Sequence, residues 1–117
     1  MAGPVRKKIP VVFYATSSGR EPVRDWLKSL DKDDRNVIGT DILAVQRGWP
    51  LGLPLCDALG NGLWEVRSKL PQRRIARVIF AFDGGTIVLL NGFVKKTQKT
   101  PADEIGLAAK RLKEVTS

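Results

Sequence analysis

The spacing of apolar residues along the chain changes from that of a strand to that of a helix and back again. Residues 9–14 are β-branched and aromatic, which predicts a short first strand. From Arg20 onwards apolar residues recur every three or four positions, which predicts two amphipathic helices. Asp31 is placed to cap the second helix, and Gly48 and Pro50 end it. We therefore expect a strand followed by a helical hairpin that covers one face of a sheet.

Residues 51–62 contain several glycines and prolines, which predicts an irregular connection without a regular element. Three strands are expected after it. The first alternates apolar with charged residues, as a strand does when one side faces water. The second carries Arg77 within an otherwise apolar run, and the sequence DGG at 83–85 predicts a hairpin into a continuously apolar third strand. These strands are predicted over residues 63–69, 74–82 and 86–94.

A final helix follows, with Thr100 as its N-cap, Pro101 in its first position and an apolar face within residues 105–115. Together the elements predict an α+β domain over residues 9–117, in the order β-α-α-β-β-β-α. In this domain an antiparallel sheet is covered by the helical hairpin and by the C-terminal helix. Residues 1–8 are expected to form a flexible basic arm.

The charge of the chain is distributed unevenly around its net value of +8. Residues 63–101 contain eight basic and two acidic side chains, whereas the helical segments before and after them are nearly neutral. Clustered lysine and arginine attract phosphate groups and release counterions on binding, so nucleic acid is the expected class of partner. Composition alone favours a basic docking face without catalysis over an enzyme.

The residue types also restrict the chemistry of the chain. The sequence has no histidine and one cysteine, Cys56, which excludes a Cys/His metal set, a Ser-His or Cys-His nucleophile and an intramolecular disulfide. No apolar run approaches the roughly 20 residues of a membrane-spanning helix. We therefore expect a cytoplasmic protein without contact to a membrane, and no cofactor is indicated.

Four basic residues on the predicted strands are candidates for a phosphate site, namely Arg67, Arg77, Lys95 and Lys96. An antiparallel meander is able to place both arginines on neighbouring strands, with the lysine pair at the end of a third. Whether the arginines share one face depends on the strand register, because a slip of one residue reverses every side chain. The sequence leaves this question open.

Cleavage of RNA needs activation of the 2′-hydroxyl, stabilisation of the charge on phosphorus and a proton for the departing 5′-oxygen. Either arginine is suited to the charge, because its planar group binds two phosphate oxygens at once. The candidate proton donors are Lys95, Lys96 and Lys99. Glu65 or a neutral lysine is the candidate base.

The chain resembles the HigB-like branch of the RelE/ParE superfamily, the small toxins of type II toxin–antitoxin modules. The resemblance is carried by LWEVR at 63–67, RVIFAF at 77–82 and LLNGFVKKTQKTPADEI at 89–105, and it covers almost the whole chain. It implies a RelE-like fold. Asn91 stands where many HigB-like chains have histidine, and Ala76 where many relatives have an aromatic residue.

The resemblance implies a ribosome-dependent mRNA endonuclease that inhibits translation through a metal-independent attack of the 2′-hydroxyl. It implies catalytic roles for Arg67, Arg77, Lys95 and Lys96. The further cations expected to bind RNA are Lys69, Arg73, Arg74 and Lys99. The implied partners are mRNA, the ribosome and a cognate antitoxin of the HigA-like, helix-turn-helix kind. A gyrase-inhibiting ParE-type toxin and a non-catalytic nucleic-acid-binding module or decayed phage remnant remain alternatives.

Overall fold

The computed structural model of the protein describes residues 8–116, and within them the chain forms five strands and three helices. The strands are β1 (Val11–Phe13), β2 (Cys56–Gly60), β3 (Leu63–Lys69), β4 (Ile75–Asp83) and β5 (Thr86–Lys95). The helices are α1 (Pro22–Ser29), α2 (Lys32–Gly48) and α3 (Ala102–Thr116). The α+β fold predicted from the sequence is confirmed. The predicted basic arm, residues 1–8, lies outside the described residues except for Lys8.

The five strands belong to one sheet, in the order β1-β5-β4-β3-β2. Strands β2 to β5 form an antiparallel meander, whereas β1 lies parallel to β5 at one edge. The parallel pairing is possible because β1 and β5 are far apart in the sequence, so no tight turn joins them. The prediction of an antiparallel sheet is therefore corrected at this edge.

The segment between α2 and β3, predicted to be irregular, contains the additional strand β2. This strand pairs with β3 through a tight turn in which Gly60, Asn61 and Gly62 have φ angles of 90°, 54° and 82°. Glycine adopts positive φ angles without steric cost, and asparagine does so more readily than most residues. The glycines that made this segment look like a loop are the residues that let it fold back as a hairpin.

The sheet separates two apolar cores, one against α1 and α2 and the other against α3. Strand β4 contributes to both, since Val78 and Phe80 lie in the first core and Ile79 and Ala81 in the second. This double burial explains why its sequence is apolar on both faces. Within the described part of the chain, no helix combines the length and the hydropathy that crossing a membrane requires.

Helix α3 is fixed to the sheet near both of its ends. It begins at Ala102, so Thr100 is not its N-cap as predicted, and the Thr100 hydroxyl donates instead to Glu65 Oε2 at 2.5 Å. Near the other end, Arg111 Nη1 donates to the carbonyl oxygen of Leu90 on β5 at 2.7 Å. These polar contacts set the position of the helix over the second core.

Candidate nucleic-acid-binding site

The strand register brings several predicted site residues onto one face of the sheet. Arg67 and Arg77 are directly paired, Lys69 is paired with Ile75, and Ile75 is paired with Lys95. Directly opposed residues of antiparallel strands point to the same side, and so do residues two positions apart. The two arginines therefore lie on the same face as Lys69 and Lys95, which is the face that α3 covers.

Arg77 lies beneath the segment that joins β5 to α3, residues 96–101, which we call the β5–α3 loop. Its side chain has no exposed surface. Its Nη2 donates to the carbonyl oxygens of Thr97 and Gln98, the latter at 2.8 Å. Nε lies 3.9 Å from Glu65 Oε2, and Nε and Nη1 have no hydrogen-bond partner among the described residues. The predicted contact of Arg77 with a scissile phosphate stays a prediction that requires the loop to move.

Glu65 is the acidic counterpart of this buried arginine. The sequence pattern placed it on a side of β3 that faces water, but it is fully buried because the β5–α3 loop covers it. Its Oε1 accepts a hydrogen bond from Arg67 Nη1 at 3.4 Å, and its Oε2 accepts one from the Thr100 hydroxyl. Both carboxylate oxygens are thus engaged within the protein, so a role of Glu65 as the base also requires the loop to open.

Two arginines side by side repel each other, and Glu65 offsets this repulsion. Burial lowers the pKa of the Arg77 guanidinium, the positive charge of Arg67 lowers it further, and the carboxylate of Glu65 opposes both effects. An arginine starts from so high a pKa that Arg77 remains a cation at neutral pH. The sheet therefore holds two positive charges around one buried carboxylate.

The accessible part of the site is a groove in two adjoining sections, with volumes of about 500 and 440 Å³. Lys69, Ile75 and Gln98 line both sections. The other lining residues are Leu53, Pro54, Asp57 and Arg67 in the first section and Leu70, Arg73, Arg74 and Lys96 in the second. We call the two sections together the basic groove. Lys95 and Lys99 are also exposed, at the two ends of the segment that contains Lys96 and Gln98.

Arg74 has a partner within the protein. Its Nη1 and Nη2 donate to the two carboxylate oxygens of Asp34 on α2, at 2.7 and 3.2 Å, and its Nε donates to the carbonyl oxygen of Pro71 at 3.0 Å. The hydrogen bonds with Asp34 raise the pKa of Arg74. Arg74 thus anchors the turn between β3 and β4, while its neighbour Arg73, with a φ of 60°, is exposed on that turn.

The sequence pattern did not reveal the roles of Gln98 and Thr100 at the site, because the phosphate site was predicted from charged side chains alone. Gln98 lines both sections of the groove and accepts hydrogen bonds through its carbonyl oxygen from Arg67 and Arg77. The position of Gln98 within the lysine-rich sequence KKTQKT was the one feature of the sequence that pointed to a place in the site. Asn91 is buried away from the groove lining, and its Nδ2 donates to the carbonyl oxygen of Glu104 on α3 at 3.1 Å.

Within residues 8–116, no group of three or more cysteine, aspartate or glutamate side chains is arranged to hold a metal ion. Asp34 and Glu65 are each paired with an arginine, and Asp57 lines the first section of the basic groove. The described side chains of the groove are equipped to bind phosphate, to stabilise negative charge and to donate protons from lysine.

Comparison with known proteins identifies the family of the chain. Residues 25–113 match the family described as Phage derived protein Gp49-like (DUF891). A search of curated proteins gives no match. The matched residues run from α1 into the last turns of α3 and contain the whole basic groove. The chain therefore belongs to the Gp49-like family of phage-derived proteins, a toxin-like family within the RelE/ParE-like toxin superfamily.

Proposed function

We propose that the protein is the HigB-like toxin of a type II toxin–antitoxin module and that it inhibits translation by cleaving mRNA on the ribosome. The observation that carries the proposal is the basic groove, where Arg67, Lys69 and Lys96 surround a concave surface at the end of the sheet. A groove of this charge attracts a single-stranded phosphate backbone. Membership of a toxin-like family supports the same function.

The proposed reaction is an attack of the 2′-hydroxyl on the adjacent phosphorus, which releases the 5′-oxygen of the next nucleotide without a metal ion. Arg67 stabilises the charge that develops on the phosphate oxygens. Lys95, at the end of β5, and Lys96, at the start of the β5–α3 loop, transfer the two protons. One of the two, as a neutral amine, accepts the proton of the 2′-hydroxyl, and the other, as a cation, supplies the proton for the departing oxygen. The neighbouring phosphates are bound by Lys69, Arg73 and Lys99.

The proposed protein partner is a cognate antitoxin with a helix-turn-helix domain, similar to HigA. A protein that cuts mRNA during translation must be held inactive in a growing cell, and a toxin-like family membership is consistent with such a partner. The neighbouring reading frame is the first candidate. Its coexpression is expected to restore the growth of cells that produce the protein.

The test is to produce the protein alone in growing cells and to map mRNA 5′ ends with translation running and with translation blocked. Growth arrest with new, translation-dependent ends is expected.

Lys96→Ala should reduce cleavage by about a hundredfold, because it removes one of the two groups that transfer protons. Lys110→Ala is the matched control, since Lys110 is exposed on α3 and does not line the groove. Arrest without such cuts would contradict the proposal, and arrest with DNA damage would favour gyrase inhibition.

A further inference from the structure

The β5–α3 loop is held from beneath by side chains of two strands. Arg77 on β4 donates to the carbonyl oxygens of Thr97 and Gln98, and Glu65 on β3 accepts from the Thr100 hydroxyl. Arg77 and Glu65 are both fully buried, with 3.9 Å between Nε and Oε2. We refer to Arg77, Glu65 and Thr100 as the loop clamp.

The loop clamp reaches the rim of the basic groove through Arg67. Arg67 Nη1 donates to Glu65 Oε1 at 3.4 Å, and Arg67 Nη2 donates to the carbonyl oxygen of Gln98 at 3.3 Å. A guanidinium held at two points presents its remaining donors in a fixed direction. The loop itself carries Lys96 and Gln98, which line the groove. The clamp thus sets the position of one cation on the sheet and of another on the loop.

The burial of Arg77 favours this role over a direct contact with RNA. Its guanidinium has no exposed surface, and two loop carbonyls occupy Nη2. A phosphate can contact Arg77 only if the β5–α3 loop moves away from the sheet. That movement breaks the hydrogen bond between Thr100 and Glu65 and displaces Lys96. Opening of the loop would therefore allow Arg77 to contact one phosphate, but it would disrupt the groove that binds the rest of the RNA.

We propose that Arg77 and Glu65 are positioning residues, which hold the β5–α3 loop and Arg67 in the geometry that cleavage needs without touching the RNA. This inference rests on the proposed function. Displacement of a catalytic group by about 1 Å slows a reaction by about a hundredfold, so loosening of the loop lowers kcat. Binding depends mainly on the number of cations that meet phosphates, so KM changes less.

Thr100→Val tests the loop clamp while every cation is retained. Valine has nearly the shape of threonine but cannot donate a hydrogen bond to Glu65. Arg77→Met is a poorer test, because it removes one of the two cations beside the buried carboxylate of Glu65 and is expected to destabilise the fold. Thr116→Val is the matched control, since the Thr116 hydroxyl donates to the carbonyl oxygen of Leu112 at the exposed end of α3.

We expect Thr100→Val to lower kcat for cleavage on the ribosome by about tenfold with little change in KM. Thr116→Val should leave both constants unchanged. A kcat for Thr100→Val equal to that of the control would overturn the positioning role, because the clamp would then have no influence on the reacting groups.

The Nε–H signal of Arg77 in heteronuclear NMR provides a readout that does not depend on catalysis. We expect it to exchange slowly with water in the wild-type protein and about tenfold faster in Thr100→Val. Addition of a single-stranded RNA oligonucleotide should leave the signal in place, and a large shift on RNA binding would overturn the inference by showing a direct contact. If the wild-type protein neither binds nor cuts RNA, the proposed function fails. The exchange rates of the two threonine variants still decide whether the clamp holds the loop.

Discussion

Cys56 is a buried thiol at the start of β2, and its burial makes the stability of the fold depend on pH. Loss of solvent, together with the negative charge of Asp41, raises the pKa of the thiol from 9.0 to about 11. Because this pKa is higher in the folded state, the stabilisation is fully present below pH 9 and is lost as the pH rises toward 11.

Urea denaturation at pH 9 and at pH 11 measures how far the free energy of unfolding falls between these two pH values. We expect the fall to be about 2 kcal/mol smaller in Cys56→Ala than in the wild-type protein. The ionisable groups that the two proteins share contribute equally to both and cancel in the comparison. An identical fall in the two proteins would show that the thiol does not remain protonated within the fold.

Site residues were predictable where their role depends on charge alone. The exposure of Lys96 and its place in the groove follow from a local run of cations that no apolar neighbour covers. The role of Arg77 could not be decided by pattern, because an arginine in an apolar strand is either a ligand contact or a buried ion. The side chain of Arg77 donates a hydrogen bond to the carbonyl oxygen of Thr97, which lies 20 residues further along the chain. Likewise Arg74 is engaged by Asp34, 40 residues earlier, which no local pattern reveals.

The elements with a strong local period were predicted closely. The bounds of β3 agree with the prediction, and those of β4 and β5 differ from it by one residue at their ends. Strand β2 was missed because its pairing depends on a hairpin turn with positive φ angles at Gly60 and Asn61. The parallel pairing of β1 was missed because strand order is decided by the packing of whole elements.

The contact between α1 and β5 depends on the absence of a side chain at Gly92. A Cβ atom added there would lie 2.5 Å from the ring of Trp26 on α1. We expect Gly92→Ala to lower the free energy of unfolding by about 1–3 kcal/mol, because the ring or the strand must shift. Denaturant unfolding at equilibrium measures the change.

Gly39→Ala makes the same chemical change in the middle of α2, where an added Cβ meets nothing within 4 Å. Alanine favours the helix over glycine, so this variant should be more stable by about 0.5–1 kcal/mol. Opposite signs at the two positions would assign the loss at Gly92 to the close approach of Trp26. Equal effects would mean that α1 is free to move away from β5.

Within residues 8–116, the excess positive charge lies in residues 63–101, which supply most of the lining of the basic groove, whereas α1 and α2 carry nearly balanced charge. An uneven distribution of this kind steers a polyanion to one region, while net charge alone would attract it everywhere. The effect of the charge distribution can be separated from the effect of net charge, because the chain has lysines both inside and outside the groove. Lys96 lines the groove, and Lys110 is exposed on α3.

Binding of single-stranded RNA should weaken as salt rises, because each phosphate contact releases condensed counterions, with a slope of about 0.7 per contact. Lys96→Ala and Lys110→Ala lower the net charge of the protein equally. We expect Lys96→Ala to reduce the slope of log affinity against log salt by about 0.7 and Lys110→Ala to leave it unchanged. Fluorescence anisotropy with a labelled oligonucleotide measures both slopes. Equal slopes in the two variants would mean that net charge governs binding and that the RNA does not lie in the groove.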